Sequence, residues 1–258
     1  MAQSIYTIDD LVIPRGIVYF NPFNAAGAPT GEIDLGETGG ASISPSTTNL
    51  QYFSSRSKLR QETRNIPTSI SREFSLTIDS MNMNNMSLFA IADLSVITQV
   101  ATPVTDAPFT ALQGRWYQLG GNTPARNVTA VVVTGTGGTP TYVLNTDYVL
   151  DAANGRIQIV AGGGIADNTA ILVDYTPAAE TRNRASGGTE AKRGELRVIS
   201  DNAEGRNKDW WFPSVIMQPN GEMPVIAADD AWAQMAFTIG IQKKSSLAAL
   251  YIDDRAVG

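Results

Sequence analysis

The sequence predicts a mainly β protein with one helix, interrupted by a second, smaller β unit. Three observations predict it. Short segments alternate apolar and polar residues with a period of two, the pattern of a strand with one buried face. Glycine and proline are plentiful, at 23 and 13 of 258 residues, and they fall between those segments, where turns need them. A single stretch, MNMNNMSLFAIADL at 81–94, has helical spacing.

The elements follow in order. A short strand is expected at 16–20, then a Pro/Gly turn and a second, weak strand. At 72–79, Phe74, Leu76 and Ile78 face one way and Glu73, Ser75, Thr77 and Asp79 the other. In the helix, Asn84 or Asn85 is placed to cap, with Met86, Phe89, Ala90 and Leu94 near one face. From about 102 to 188 the composition turns rich in Val, Thr, Tyr and Gly. There VTAVVVTGTGGTPTYVL reads as two strands around a Gly-rich turn, Asn154-Gly155 as a tight hairpin, and TAILVDYTP as a further strand. These strands make a small antiparallel sandwich, and AETRNRASGGTEAKRG reads as the linker leaving it. Beyond it, GELRVIS and DWWFPSVIMQ are strands, with a turn at Pro219-Asn220-Gly221 and another extended piece after it. Met235, Phe237, Ile239 and Ile241 then alternate with Ala236, Thr238, Gly240 and Gln242.

One stretch has no core to pack on. In SSRSKLRQETRNI, at 54–66, Arg56, Lys58, Arg60, Glu62 and Arg64 fall on every second position. Small or neutral residues fill the alternate positions, which reads as an extended segment with a charged face. A solvated loop is one reading of such a segment. A phosphate-backbone contact is another, but no aromatic residue interrupts the cations and the whole chain is acidic. The reading adopted is an arm that docks on a neighbouring subunit, where it gains backbone pairing and salt links. Arg56, Lys58, Arg60, Arg64 and Arg72 against Glu62 make residues 54–72 +4 (5 − 1), so a net charge of −6 leaves −10 on the remainder. A basic element on an acidic body is suited to a second copy of that body.

The chain has no cysteine and no histidine. This removes disulfides, thiol nucleophiles, thiolate metal sites and the usual neutral-pH general base. Ser-His-Asp and Cys-His catalysis are excluded, and no catalytic, cofactor-binding or metal-binding set is expected. GTGGT at 135–139 and GGG at 162–164 lack the lysine and the strand-to-helix setting of a phosphate loop, so they read as turns. The acid pairs Asp9-Asp10, Asp229-Asp230 and Asp253-Asp254 lack ligand spacing and read as surface charge. Asn85-Met86-Ser87 and Asn127-Val128-Thr129 match the glycosylation pattern by chance in a chain with no expected secretory signal. Trp210, Trp211 and Phe212 read as packing residues. No stretch reaches the length of a membrane span, so a chain made and assembled in the cytoplasm is expected.

The order of these parts resembles the major tail tube proteins of long-tailed, siphovirus-like bacteriophages. The resemblance lies in the N-terminal strands, the long polar arm, REFSLTIDSMNMNNMSLFAIADL, and FPSVIMQPNGEMPV before AWAQMAFTIGIQ. It covers roughly 10–100 and 190–245, and YVLNTDYVLDAANGRIQIV looks like an Ig-like sandwich inserted in some of these proteins. It implies a tail-tube-type β-sandwich or barrel of two packed sheets with one flanking helix. That domain would span 1–101 and 189–258, with its arm at 50–70, and the inserted Ig-like sandwich 102–188. It also implies a structural virion protein, not an enzyme, that forms stacked hexameric rings around a lumen for phage DNA. Arg56, Lys58, Arg60, Glu62 and Arg64 would be the inter-ring arm. The implied partners are further copies of the chain, a tape measure protein, a tail terminator and tail-tip proteins. The acidic remainder suits a lumen that repels DNA, and the inserted sandwich is expected outside as decoration. The alternatives are a sugar-binding adhesin using Trp210, Trp211 and Trp232, or the inner tube of a contractile tail or secretion system, where a sheath would collide with an external domain.

Overall fold

The computed structural model describes residues 11–56, 58–227 and 230–255. It is mainly β, with several antiparallel sheets and one helix. The chain divides into two compact units, 1–95 with 185–258, and 96–184. The sequence placed the cuts slightly later, after 101 and after 188. The first unit opens with β1 (Gly16–Pro22), β2 (Ile33–Asp34), β3 (Thr38–Ser54), β4 (Gln61–Ile78) and α1 (Met83–Phe89). β5 (Ala92–Gln99) leads into the second unit, which holds β6 (Val104–Ala111), β7 (Trp116–Gln118), β8 (Thr129–Gly135), β9 (Tyr148–Asp151), β10 (Arg156–Ile159) and β11 (Thr169–Thr176). β12 (Glu180–Gly187) leads back to β13 (Arg193–Ser200), β14 (Lys208–Pro219), β15 (Met235–Ile241) and β16 (Tyr251–Asp254).

In the first unit one sheet runs β2-β1-β13-β14-β15-β4-β3, with β16 added on β14. Its strands pair antiparallel. Its strands alternate as the sequence predicts. Phe74, Leu76 and Ile78 on β4 and Met235, Phe237 and Ile239 on β15 are all buried. They share one core with Val18 and Phe20 of β1, Leu196 of β13, and Phe212, Val215 and Met217 of β14. The two layers of this sandwich-like arrangement are therefore halves of a single sheet curled around its own apolar face. Pro213 sits inside the central strand β14 because the register slips there, with Gly194 opposite Val215 but Leu196 opposite Phe212. A bulge leaves a residue out of the ladder, and proline has no N–H to lose. Beside this bulge Gly194 lies in close quarters with β1, since a Cβ there would lie 2.4 Å from the Asn21 carbonyl oxygen and 2.6 Å from the Phe20 ring.

The helix is shorter than its spacing predicts. Its cap is Asn82, whose side chain accepts from the Asn85 N–H at 2.9 Å, and not Asn84 or Asn85. Three asparagines crowd this start, and the backbone turns at the first of them. Asn85 is instead fully buried, donating from Nδ2 to the carbonyls of Leu35 at 2.8 Å and Ser80 at 2.9 Å. This burial also closes the first glycosylation match. The helix ends at Phe89, and Leu94 lies on β5, 45% exposed. Phe89 packs edge-on against Phe237, with ring centroids 5.6 Å apart.

The second unit is a small sandwich. One three-stranded sheet is β7-β10-β9 and the other β6-β11-β8. Its core includes Leu119, Val133, Tyr148, Ile157, Ile159, Ile171 and Val173. The Asn154-Gly155 signal marks a real hairpin, joining β9 to β10 with Arg156 opposite Asp151. Gly155 is required there: its φ is +62°, and a Cβ would meet the Ala125 carbonyl oxygen at 2.1 Å. Two expectations fail in this region. After the Gly-rich turn, Thr141 makes an isolated bridge to Thr134, not a strand. The stretch read as a linker contains β12, which pairs with β5 as a two-stranded sheet. The polar face of β12 hid it, because a strand paired mainly through its backbone needs no apolar alternation.

Candidate interaction surface

The ladder between β3 and β4 runs from Thr38 opposite Ile78 to Ser54 opposite Gln61. β15 covers only the last part of β4, from Glu73 to Ile78. Beyond Glu73 the two strands continue as a two-stranded ribbon with exposed residues on both faces. This ribbon is the arm. Backbone pairing holds it, since Pro45 to Ser54 on β3 find partners from Arg72 to Gln61 on β4.

The structure corrects the comb. Ser54 ends β3 and Gln61 begins β4, so the chain reverses over 55–60. Arg56, Lys58 and Arg60 therefore stand at the tip turn, while Glu62 and Arg64 lie on β4. A run of alternating charges has the same period whether or not a turn cuts it, and no glycine or proline marks this one. The tip gathers the cations instead of spreading them along one strand. Among the described residues, no ion pair joins them to a carboxylate of the chain.

The ribbon also carries apolar side chains that the comb did not include. Cross-strand partners share a face, and register shifts occur between Thr48 and Asn49 and between Tyr52 and Phe53. One face begins with a hydroxyl ladder in which Ser46 and Ser71 are hydrogen-bonded at 2.8 Å. It then passes to Leu50 opposite Ile66 and Tyr52 opposite Arg64. Leu50 and Tyr52 are each 63% exposed. The other face carries Ile70 and Phe53, also exposed. The distal half of the arm thus combines a basic tip with uncovered apolar residues, a composition suited to burial against a partner.

A cleft of about 490 Å³ opens between the two ends of the main sheet. Gly16 and Val18 of β1 line one side, residues 38–43 of β3 the other, with Phe74 and Trp210 at its floor. β3 ends the sheet, so among the described residues no strand lies beside its outer backbone edge at 38–44. Such an edge is a template for a further strand.

Other candidates resolve into packing. Trp210 stacks on Phe212 at 6.3 Å, and Trp211 stacks on Tyr251 at 5.2 Å with Arg197 over its ring. As neighbours on one strand they point to opposite faces, and Trp232 stands 94% exposed in the loop before β15. The three do not form one platform. The backbone N–H of Gly164 donates to Asp147 Oδ1 at 2.7 Å and that of Val143 to Oδ2 at 2.8 Å. These two bonds, Val143's first, hold the Asp147 carboxyl below its ordinary value. The glycine turn is thus tied to a carboxylate of the chain itself. Of the acid pairs, Asp9, Asp10 and Asp229 lie outside the described residues. Among the described residues, no three His, Cys, Asp or Glu side chains gather as a metal site, and no helix is long and apolar enough to cross a membrane.

Residues 11–247 match the model of a family described as "Protein of unknown function UCP028589". No curated protein matches the chain.

Proposed function

The chain belongs to the UCP028589 family, and we propose that it is the major tail tube protein of a long-tailed bacteriophage with a non-contractile tail. Copies form hexameric rings, rings stack, and the hollow tube conducts phage DNA at ejection. The observation that carries this reading is the arm, a ribbon of two paired strands that leaves its own sheet at Glu73 and ends in a basic turn. Ordering such a ribbon costs conformational entropy that its own exposed faces do not repay. Contact with another subunit offsets that cost. The curled sheet with its free edge on β3 gives the same chain a second route to neighbours, through added strand pairing within a ring.

The remaining assignments follow from this reading. The chain acts without catalysis or cofactor and resides in the virion after assembly in the host cytoplasm. Its partners are further copies of itself, the tape measure protein, the tail terminator and the tail-tip proteins. DNA passes the lumen without sequence-specific contact, because an acidic wall repels phosphates. The sugar-binding alternative needs Trp210, Trp211 and Trp232 on one surface, and their opposed directions speak against it.

The test replaces Arg56, Lys58, Arg60 and Arg64 by alanine together. The variant is expected to stay folded, with an unchanged circular dichroism spectrum, and to lose stacking. Tubes of normal length from this variant would remove the arm's part in stacking, and an unmodified chain that forms neither rings nor tubes would sink the reading.

A further inference from the structure

The two ends of the arm differ in charge. At the distal end, Arg56, Lys58 and Arg60 of the tip turn and Arg64 of β4 stand against the single acid Glu62. At the root, three segments meet. The Asp79 N–H donates to the Glu37 carbonyl at 2.8 Å, and Asp79 Oδ1 accepts from Gln234 Nε2 at 3.0 Å. The Glu37 N–H donates to Ser80 Oγ at 2.8 Å, and the Gly36 N–H donates to Asp34 Oδ1 at 2.7 Å. Pro219 pairs with Phe237 and Met235 with Ile78, so the loop between β14 and β15 leaves and returns beside the end of β4. Residues 34–43, 79–92 and 220–242 contain Asp34, Glu37, Asp79, Glu222 and Asp230 among the described residues, and no lysine or arginine.

The loop at the root also carries exposed apolar side chains. Val225 is 87% exposed, Ile226 92% and Trp232 94%. Three large side chains standing in water on one loop mark a contact surface. The distal arm offers the complement, with Leu50, Tyr52 and Ile66 beside its cations.

We infer that the root, formed by Asp34, Glu37, Asp79, Val225, Ile226 and Trp232, is the acceptor for the arm tip of a second copy of this chain. The tip does not reach the root of its own chain. β3 has 17 residues, which at a rise of about 3.3 Å per residue separates the ribbon's ends by about 55 Å. Folding back would break the ladder between β3 and β4. Donor and acceptor are thus different surfaces of one molecule, an arrangement that propagates head to tail instead of closing as a dimer. Acid meets base at the rim, which steers encounter and sets register, and the apolar side chains of both partners are buried at the centre. The inference rests on the proposed tube for its biological setting, but its test reads pairing alone.

Two charge-reversed chains make that test. One carries Arg56→Glu, Lys58→Glu, Arg60→Glu and Arg64→Glu; the other carries Glu37→Lys, Glu222→Lys and Asp230→Lys, all exposed positions. Sedimentation velocity is run on each alone and on the equimolar mixture. Each alone is expected to associate at least about 100-fold more weakly than the unmodified chain. The mixture is expected to regain association, because the intact arm of one chain meets the intact root of the other and the reversed arm meets the reversed root. Either variant assembling as the unmodified chain does, or a mixture that sediments as the two chains do separately, overturns the inference. Association of the mixture without tubes in the microscope keeps the acceptor and removes the tube reading. Tubes formed by either variant do the reverse. If a reversed chain fails to fold, cysteine pairing replaces it, because the chain has no cysteine of its own. Arg60→Cys and Glu37→Cys in separate chains are expected to form a disulfide-linked dimer on mixing under mild oxidation, and an absence of that dimer overturns the inference equally.

Discussion

At the scale of single residues, the core of the first unit is held by a few aromatic anchors. Phe212 is fully buried, with its ring 5.3 Å from that of Phe74 and 6.3 Å from that of Trp210. Removing it deletes a large, fully buried side chain from the middle of the core that the curled sheet encloses. Phe212→Ala is expected to cost about 3–5 kcal/mol, read as a fall in the midpoint of denaturant unfolding. A loss under about 1 kcal/mol would mean that the sheet does not close over this face. These anchors were legible in the sequence because burial on a strand imposes a period of two. Phe74, Leu76 and Ile78, and Met235, Phe237 and Ile239, could be assigned to the core face from spacing alone. Asn82 was not. In a run with Asn82, Asn84 and Asn85, each side chain is able to cap, and the hydrogen bonds available to the other two in the fold decide between them.

At the scale of elements, the arm is the part whose sequence and structure agree least. The alternation of Arg56 to Arg64 suggested one extended face. The chain instead turns at 55–60 and presents the cations together. Its apolar residues were missed for a related reason. Leu50 and Ile66 are far apart in sequence, and only pairing across the ribbon makes them one patch. β12 and β16 escaped notice because one is polar and the other only four residues long. The physical independence of the arm carries a prediction of its own. Replacing residues 49–68 by a two-residue Asn-Gly turn joins Thr48 to Ser69, which are already partners. The thermal stability of the shortened chain is expected to stay within about 0.5 kcal/mol of the original, because the removed ribbon packs on no core. A larger loss by calorimetry would show that the arm supports its own subunit.

At the scale of the molecule, the chain has two cores and one ribbon that leaves its own sheet. Each unit has its own set of buried residues, so the inserted sandwich does not depend on the sheet that the arm extends. The insertion was legible as a change of composition and as a hairpin at Asn154-Gly155. Its ends were less so, because β5 and β12 cross the boundary as a pair and blur the change. On the proposed reading, the edge of the curled sheet serves lateral neighbours, and the basic tip and acidic root serve axial ones. Contacts of this unlike kind build open polymers.

The central claim is that copies of this chain build a hollow tube. Negative-stain electron microscopy of the purified chain, concentrated and incubated, tests it most directly when end-on views are sorted by symmetry. The account predicts sixfold rings with an open centre and long tubes made of them. Particles that stop at a closed dimer, filaments without a lumen, or a chain that stays monomeric at every concentration would contradict it.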